Sequence, residues 1–298
     1  MTIRRADPPP RNVVGGLWVL ASAGCFVVSM SLVKFLGNDL PAPMQAFVRQ
    51  AFGLVILLPW ILHNPLGAFR TTRPGLFLSR GLATSASMVI SYYSYQELPL
   101  AEANALSFTR TLWVVPLAMV MLGERVPRAR LLATVVGFGG VLLILNPGAH
   151  QAIPFRPAAA GLVSAMLLAF SLTGIKVLAR THGQLPLMAW AAVLGTLFTL
   201  PTAVLSWRMP DAHDSVLLGV MSLAGISSQY CYTRGLAVAE ATVIAPIDYS
   251  RIAFSVAIGF VVFREVPPLA TWAGVAVIVG TTLFITWHAG RSRTPAPA

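Results

Sequence analysis

Charge is what this chain lacks most. Only 10% of its 298 residues are Asp, Glu, Lys or Arg, while 56% are hydrophobic. An ordinary soluble domain carries about 25% charged residues, so a water-soluble globular protein is excluded, in line with the mean hydropathy of +0.73. Cysteine is nearly absent too. Cys25 and Cys231 both lie inside apolar runs, which leaves no basis for a disulfide framework or a thiolate zinc site. The five histidines, His63, His150, His182, His213 and His288, fall between apolar runs or near their ends and form no metal-ligand spacing. There is no glycine-rich nucleotide loop, no G-x-S-x-G elbow and no polar domain to hold one, so the sequence implies neither an enzyme nor a cofactor. The net charge of +11 does not make a nucleic-acid face, because most arginines sit in short segments between apolar runs.

Long apolar runs are what the chain has. A membrane-spanning helix needs roughly 20 apolar residues. Runs near 13–36, 43–63, 74–96, 100–122, 128–146, 157–179, 185–206, 214–236, 240–263 and 268–288 give ten candidate spans. They are continuously apolar rather than alternating, which favours helices over barrel strands. The segments between them are short and polar or rich in Pro and Gly, as expected for an antiparallel bundle. Arg4, Arg5 and Arg11 ahead of Val13–Leu20, with Ala21-Ser22-Ala23 after it, have the outline of a signal peptide. The apolar run continues to about Leu36, however, so the segment reads as an uncleaved first helix. The expected fold is an all-α integral membrane protein with tails at 1–12 and 289–298 rich in Pro and Arg.

The chain also says the same thing twice. Tyr92, Leu98, Ala101, Glu102 and Ala103 recur as Tyr230, Leu236, Ala239, Glu240 and Ala241, and Gly81 as Gly219, all 138 residues on. Lys34, Gly53 and Pro59 recur as Lys176, Gly195 and Pro201 at 142, and Val126-Pro127 as Val266-Pro267 at 140. The repeats are expected at 13–149 (spans one to five) and 150–288 (spans six to ten). With the N-terminus in the cytoplasm, twelve arginines fall on the inner side and only Arg156, Arg208 and Arg264 on the outer, which puts both termini inside an inner membrane. Five spans per repeat is odd, so the second repeat enters the membrane upside down, the arrangement of transporters built around a central site.

An ionisable residue within a span is costly and marks a cavity or a partner. Arg49, Arg110, Asp248 and Arg251 lie within spans, whereas Lys34, Lys176 and Arg80 are near enough to span ends to snorkel. Arg110 and Asp248 are equivalent at the 138-residue offset and opposite in charge, and Asp248 and Arg251, three apart, share a helix face. Two uses are open to them: an ion pair that locks spans four and nine, or a clamp with Arg binding a carboxylate and Asp an ammonium. Trp113 and Tyr249 are the expected pocket walls, Tyr92 belongs to a second aromatic layer with Tyr93, Tyr95, Tyr230 and Tyr232, and Ser107 and Gln229 can add hydrogen bonds. Pro116 and Pro246 permit bends beside the charges. Glu102 and Glu240 open spans four and nine, where a carboxylate favours the helix dipole; proton coupling is the other role open to them. Glu124 and Glu265 lie at the far ends of those helices and are expected to shape loops or pair with arginines. Gly137, Gly139, Gly140, Gly274 and Gly280 concentrate in spans five and ten and serve either internal packing or a homodimer seam.

The block Leu98-Pro99-Leu100-Ala101-Glu102-Ala103-Asn104-Ala105-Leu106, followed by Gly123-Glu124-Arg125-Val126-Pro127, resembles the EamA domain of the drug/metabolite transporter superfamily, as does the weaker copy from Leu236 to Ala241 with Arg264-Glu265-Val266-Pro267. The resemblance covers about residues 15 to 288. It departs at Arg264, where Gly is commoner, and at Arg110, in a stretch that is usually apolar. The resemblance implies ten helices, a central cavity lined by spans one, three, four, six, eight and nine, and alternating access. Members of this size are often exporters of amino acids or other metabolites, which makes amino-acid export the expected function. A cationic drug or toxin, a nucleotide derivative or a vitamin is the alternative cargo, and a membrane enzyme or scaffold without flux the remote one.

Overall fold

A computed structural model of the chain describes residues 11–123, 126–145, 154–178, 181–238 and 247–291. Among these residues all regular structure is helical: α1 (Arg11–Phe35), α2 (Ala42–His63), α3 (Pro65–Phe69), α4 (Pro74–Glu97), α5 (Leu100–Phe108), α6 (Arg110–Leu122), α7 (Arg128–Leu145), α8 (Phe155–Leu178), α9 (Gln184–Leu205), α10 (Ala212–Val238), α11 (Ser250–Phe263) and α12 (Leu269–Arg291). Proline in the first turn starts α2, α3 and α4, where its missing N–H costs nothing. Gly123 ends α6 and Arg264 ends α11 in the left-handed conformation, at φ 64° and 58°.

The apolar and polar residues are distributed inside out relative to a soluble protein. Leu17, Val55, Trp60, Leu142, Val216 and Val261 are exposed on the outer faces, while Ser22, Ser29, Gln45, Glu102, Asn104, Thr109 and Ser228 are buried. A soluble monomer does not show so much apolar surface; a bundle in lipid does. α1 with the 3-10 turn Leu36–Asn38 that follows it, α2, α8 and α9 contain the four stretches that are long and apolar enough to cross a membrane unaided, Val13–Asn38, Ala42–His63, Phe155–Ile175 and Leu185–Leu205. The helices that fall short do so for visible reasons. α4 and α10 carry polar residues along their buried faces, and α5, α6 and α11 are pieces of interrupted spans.

Contacts between helices run in antiparallel register. Ser22 and Ser228 exchange hydrogen bonds, each hydroxyl donating to the other's carbonyl at 2.8 and 2.9 Å, and Ser29 Oγ donates to Met221 O at 2.9 Å, joining α1 to α10. Ser87 Oγ donates to Ser164 O at 2.7 Å and Thr84 lies 2.7 Å from Ser171, joining α4 to α8. In both pairs the residue number falls on one helix as it rises on the other. By the 142- and 138-residue sequence offsets α8 corresponds to α1 and α10 to α4, so these two seams join corresponding pairs of helices. α2 packs on α9, and α7 on α12, each a helix against its own repeat mate.

Span four, read from the sequence as one helix, is two. α5 and α6 meet at Thr109 (φ −60°, ψ −15°), whose N–H and hydroxyl both donate back to Leu106 O at 3.1 and 2.6 Å. This tight turn pinches the helix one residue before Arg110. Tyr249 (φ −69°, ψ −11°) precedes α11 in the same way, 140 residues on. Leu112 N–H donates to Thr109 O at 2.9 Å and Ile252 N–H to Tyr249 O at 3.0 Å, so the two turns are built alike. Glu240, Pro246, Glu124, His150 and the Lys176 side chain lie outside the described residues.

Candidate functional site

The paired breaks carry the buried charges. Arg110 is the first residue of α6, Asp248 lies just before the Tyr249 turn, and Arg251 is in the first turn of α11. Asn104 Nδ2 donates to Ser255 Oγ at 2.8 Å, and Arg110 Nη2 donates to Asp248 Oδ2 at 3.4 Å, so α5–α6 and the segment from 247 to 263 run antiparallel past each other. Arg251 Nε lies 2.8 Å from Asp248 Oδ1. That contact is ionic, since neither atom meets hydrogen-bond geometry with any partner among the described residues. One carboxylate therefore faces two guanidinium groups. Asp248 and Arg251 are buried, with side chains 8% exposed, whereas the Arg110 side chain keeps 19%.

Rings close around this triad. The Arg251 guanidinium lies 4.5 Å from the Phe26 ring centroid and 5.4 Å from that of Tyr232, within cation–π range. Phe26 meets Tyr95 edge to face at 6.3 Å, and Tyr249 packs on Phe108 at 4.8 Å. Tyr95 O–H reaches Asn104 Oδ1 at 3.4 Å, and Ser107 Oγ donates to Asn104 O at 2.7 Å. α1, α4, the α5–α6 break, α10 and α11 thus each contribute to one charged, aromatic locus. Chemically, it offers a carboxylate for a cation, guanidinium groups for an anion, and faces of π density for a flat body.

Not every sequence candidate is here. Arg49 and Tyr92 form a neighbouring layer. Arg49 Nη2 donates to Gly225 O at 3.4 Å and Nη1 lies 3.6 Å from Met88 Sδ. Its guanidinium is beside the fully buried Tyr92 hydroxyl without meeting hydrogen-bond geometry. Trp113 turns away: its ring packs on Phe138 of α7 at 4.8 Å, and its buried indole N–H has no partner among the described residues. Gln229 lies on the exposed side of α10, where its backbone carbonyl accepts the Thr233 hydroxyl. The sequence singled out neither Phe26 nor Asn104. Both are ordinary in an apolar helix, and only the turn at Thr109 and the seam with α1 give them a role.

Two expectations are corrected. Lys34 does not snorkel: it pairs with Glu265 at 2.5 Å and donates to Leu98 O at 2.5 Å. Leu98 and the α11–α12 connection close over the end of α1, so a partner is nearer than the headgroups. Arg80 does not reach the surface either. It is 8% exposed, with Gly174 of α8 alongside, because the tight α4–α8 seam covers it. Glu265 also accepts the Leu100 N–H at 2.9 Å, capping α5 from the α11–α12 connection, where the sequence suggested loop shaping or an arginine partner.

A family model described as the EamA-like transporter family matches residues 13–146 and 156–287. The chain is similar to an S-adenosylmethionine uptake transporter of Rickettsia prowazekii (strain Madrid E), 28% identical over 93% of this chain and 94% of that protein. It is similar to a riboflavin transporter of Vibrio cholerae serotype O1, 30% identical over 94% and 95%. A third relative is the pseudopaline exporter CntI of Pseudomonas aeruginosa (strain UCBPP-PA14), 28% identical over 89% and 93%. A solved structure, 16% identical, superposes with a TM-score of 0.61 over 94% of this chain and 98% of its own, which is a likeness of fold. None of the three is named for amino-acid export.

Proposed function

We propose, because this chain belongs to the EamA-like transporter family, that it is a secondary transporter whose cargo joins a zwitterionic amino-acid-like end to a flat aromatic or cationic body. S-adenosylmethionine is the type of that class, carrying an α-amino carboxylate, a sulfonium and an adenine. The expectation of amino-acid export gives way to its alternative of a different cargo, since the relatives are named for S-adenosylmethionine, riboflavin and pseudopaline. The supporting observation is one carboxylate between two guanidinium groups under Phe26, Tyr95, Tyr232 and Tyr249, at paired helix breaks. Arg110 takes the cargo carboxylate, Asp248 the positive charge, and the rings the base. Riboflavin is the second reading: the rings suit it, but it brings no charge for the triad.

The architecture proposed around this site is ten spans in two five-helix repeats, 13–149 and 150–288, set head to toe in an inner membrane with both termini cytoplasmic. The antiparallel α5–α11 and α7–α12 seams and the paired breaks support it, since discontinuous helices at equivalent places in two repeats mark transporter sites. Rocking of one repeat against the other exposes the site to each side in turn. The test is uptake into proteoliposomes of labelled S-adenosylmethionine, with riboflavin and methionine as competitors. Saturable uptake that unlabelled S-adenosylmethionine blocks and Arg110→Ala abolishes is expected. Uptake of riboflavin alone, unchanged by Arg110→Ala, overturns the cargo assignment.

A further inference from the structure

Glu102 is the buried acid that the cargo site does not use. It is 2% exposed and lies in the first turn of α5, one turn from the Glu265 cap. Thr271 of α12 donates to its Oε1 at 3.0 Å, and its buried Oε2 has no partner among the described residues. The charged groups facing it are Lys34 from α1 and Glu265 from the α11–α12 connection. At the same end, α4 brings Glu97 and α8 brings Arg156, both exposed to solvent. Lys34 is already committed to Glu265 at 2.5 Å. An ionised Glu102 would leave a second carboxylate in this enclosure with, among the described residues, no cation of its own and one oxygen bare. A buried charge in that position is far costlier than a neutral acid. The N-terminus of α5 favours the carboxylate, but Glu265 already occupies the Leu100 N–H, and a surface-type dipole effect is small beside desolvation.

We propose that Glu102 is the proton-binding site of this transporter, filled when the Lys34–Glu265 end of the bundle is closed and emptied when it opens. The inference rests on the transporter reading above but not on its cargo. With that end closed and the central site open to the opposite aqueous phase, one proton from that opposite phase adds to the Glu102 carboxylate, an O–H bond forms, and no other bond changes. The enclosure then holds one ammonium, one carboxylate and one neutral acid. Opening separates Lys34 from Glu265, lets water reach Glu102 and releases the proton. Because α1, α5, the α11–α12 connection and α12 all meet here, protonation is tied to the contact between the two repeats.

The experiment uses the full chain in lipid nanodiscs without any cargo. Infrared titration across neutral pH is expected to show a protonated-carboxyl stretch that Glu102→Gln removes and Glu265→Gln retains. No such band in the wild type, or the same band in Glu102→Gln, overturns the proposal. Should Glu102→Gln not accumulate, Thr271→Val carries the test: the band shifts because the acid loses its hydrogen-bond partner, and an unshifted band overturns the proposal. In proteoliposomes with S-adenosylmethionine as probe, Glu102→Gln keeps exchange of internal for external label and loses the response to an imposed proton gradient. Exchange with an intact gradient response also overturns it. Absence of any flux in the wild type refutes the cargo assignment alone, since the infrared result stands apart from it.

Discussion

Asp248 and Arg110 form one ion pair, yet their removal is expected to have unequal consequences. Asp248 is the only carboxylate that the structure gives Arg251 among the described residues, and Arg251 is buried. Asp248→Ala leaves that guanidinium against the rings of Phe26 and Tyr232 with no carboxylate partner among the described residues. Breaking a buried pair by removing one partner costs about 3–5 kcal/mol. Arg110→Ala is different: Asp248 keeps Arg251 at 2.8 Å, and the lost contact is a single one at 3.4 Å to a side chain still 19% exposed. Its cost is about 1 kcal/mol or less. Denaturant titration in mixed micelles reads both values, and proteoliposome uptake of S-adenosylmethionine reads function. Arg110→Ala is expected to stay near wild-type stability while losing uptake, whereas the exposed Arg128→Ala changes neither. If Arg110→Ala is as destabilising as Asp248→Ala, Arg110 is a strut between helices and the clamp reasoning fails. If it is stable and transports normally, Arg110 does not touch the cargo.

Three further outcomes follow from local geometry. Arg264 adopts φ 58° with its side chain exposed, so Arg264→Gly is expected to raise stability by about 1 kcal/mol, seen as a higher denaturation midpoint. A Cβ on Gly274 would lie 2.5 Å from Gly140 O and 3.0 Å from Ile144 N, both backbone atoms that cannot yield. Gly274→Ala is therefore expected to cost about 1–3 kcal/mol by loosening the α7–α12 seam; an unchanged midpoint contradicts the packing. Gln229→Ala on the exposed face of α10 is expected to leave uptake unchanged, and a loss of uptake would bring that residue back into the site.

The pairing of Arg110 with Asp248 was legible because a duplication converts sequence offset into spatial symmetry. The 138-residue offset puts the two opposite charges at equivalent positions, and Arg110 Nη2 lies 3.4 Å from Asp248 Oδ2. The Lys34–Glu265 pair was not legible, because Lys34 belongs to the 142-residue offset and Glu265 to a connection with no fixed partner in sequence. The break at Thr109 left no trace either. Its residues are as apolar and helix-compatible as their neighbours, and the turn is made by a hydroxyl folding back on Leu106 O, which any mid-helix threonine can attempt. Trp113 was misplaced for a different reason: three residues on from Arg110 within α6 falls short of a full helical turn, and the indole packs on Phe138 of α7 rather than facing the triad. Of the small residues in spans five and ten, Gly137, Gly140 and Gly274 are spent within the chain, while nothing among the described residues lies within 4 Å of a Cβ at Gly139 or Gly280.

The Arg264-Glu265 pair shows why a repeat tolerates a residue that its conformation disfavours. Left-handed backbone at Arg264 costs about 1–2 kcal/mol relative to Gly. The same turn sends Glu265 N–H back to Gly259 O at 3.0 Å and so aims the Glu265 side chain across the helix ends. There it accepts the Leu100 N–H at 2.9 Å and meets Lys34 at 2.5 Å. A hydrogen bond to a charged group contributes about 1.5–3 kcal/mol, enough to outweigh the turn. Gly123 makes the equivalent left-handed stop without strain. What the two copies retain is therefore the turn followed by a carboxylate, and the identity of the turning residue is the part left free to vary. In the second copy that carboxylate joins α1, α5 and the α11–α12 connection at the place where the two repeats meet.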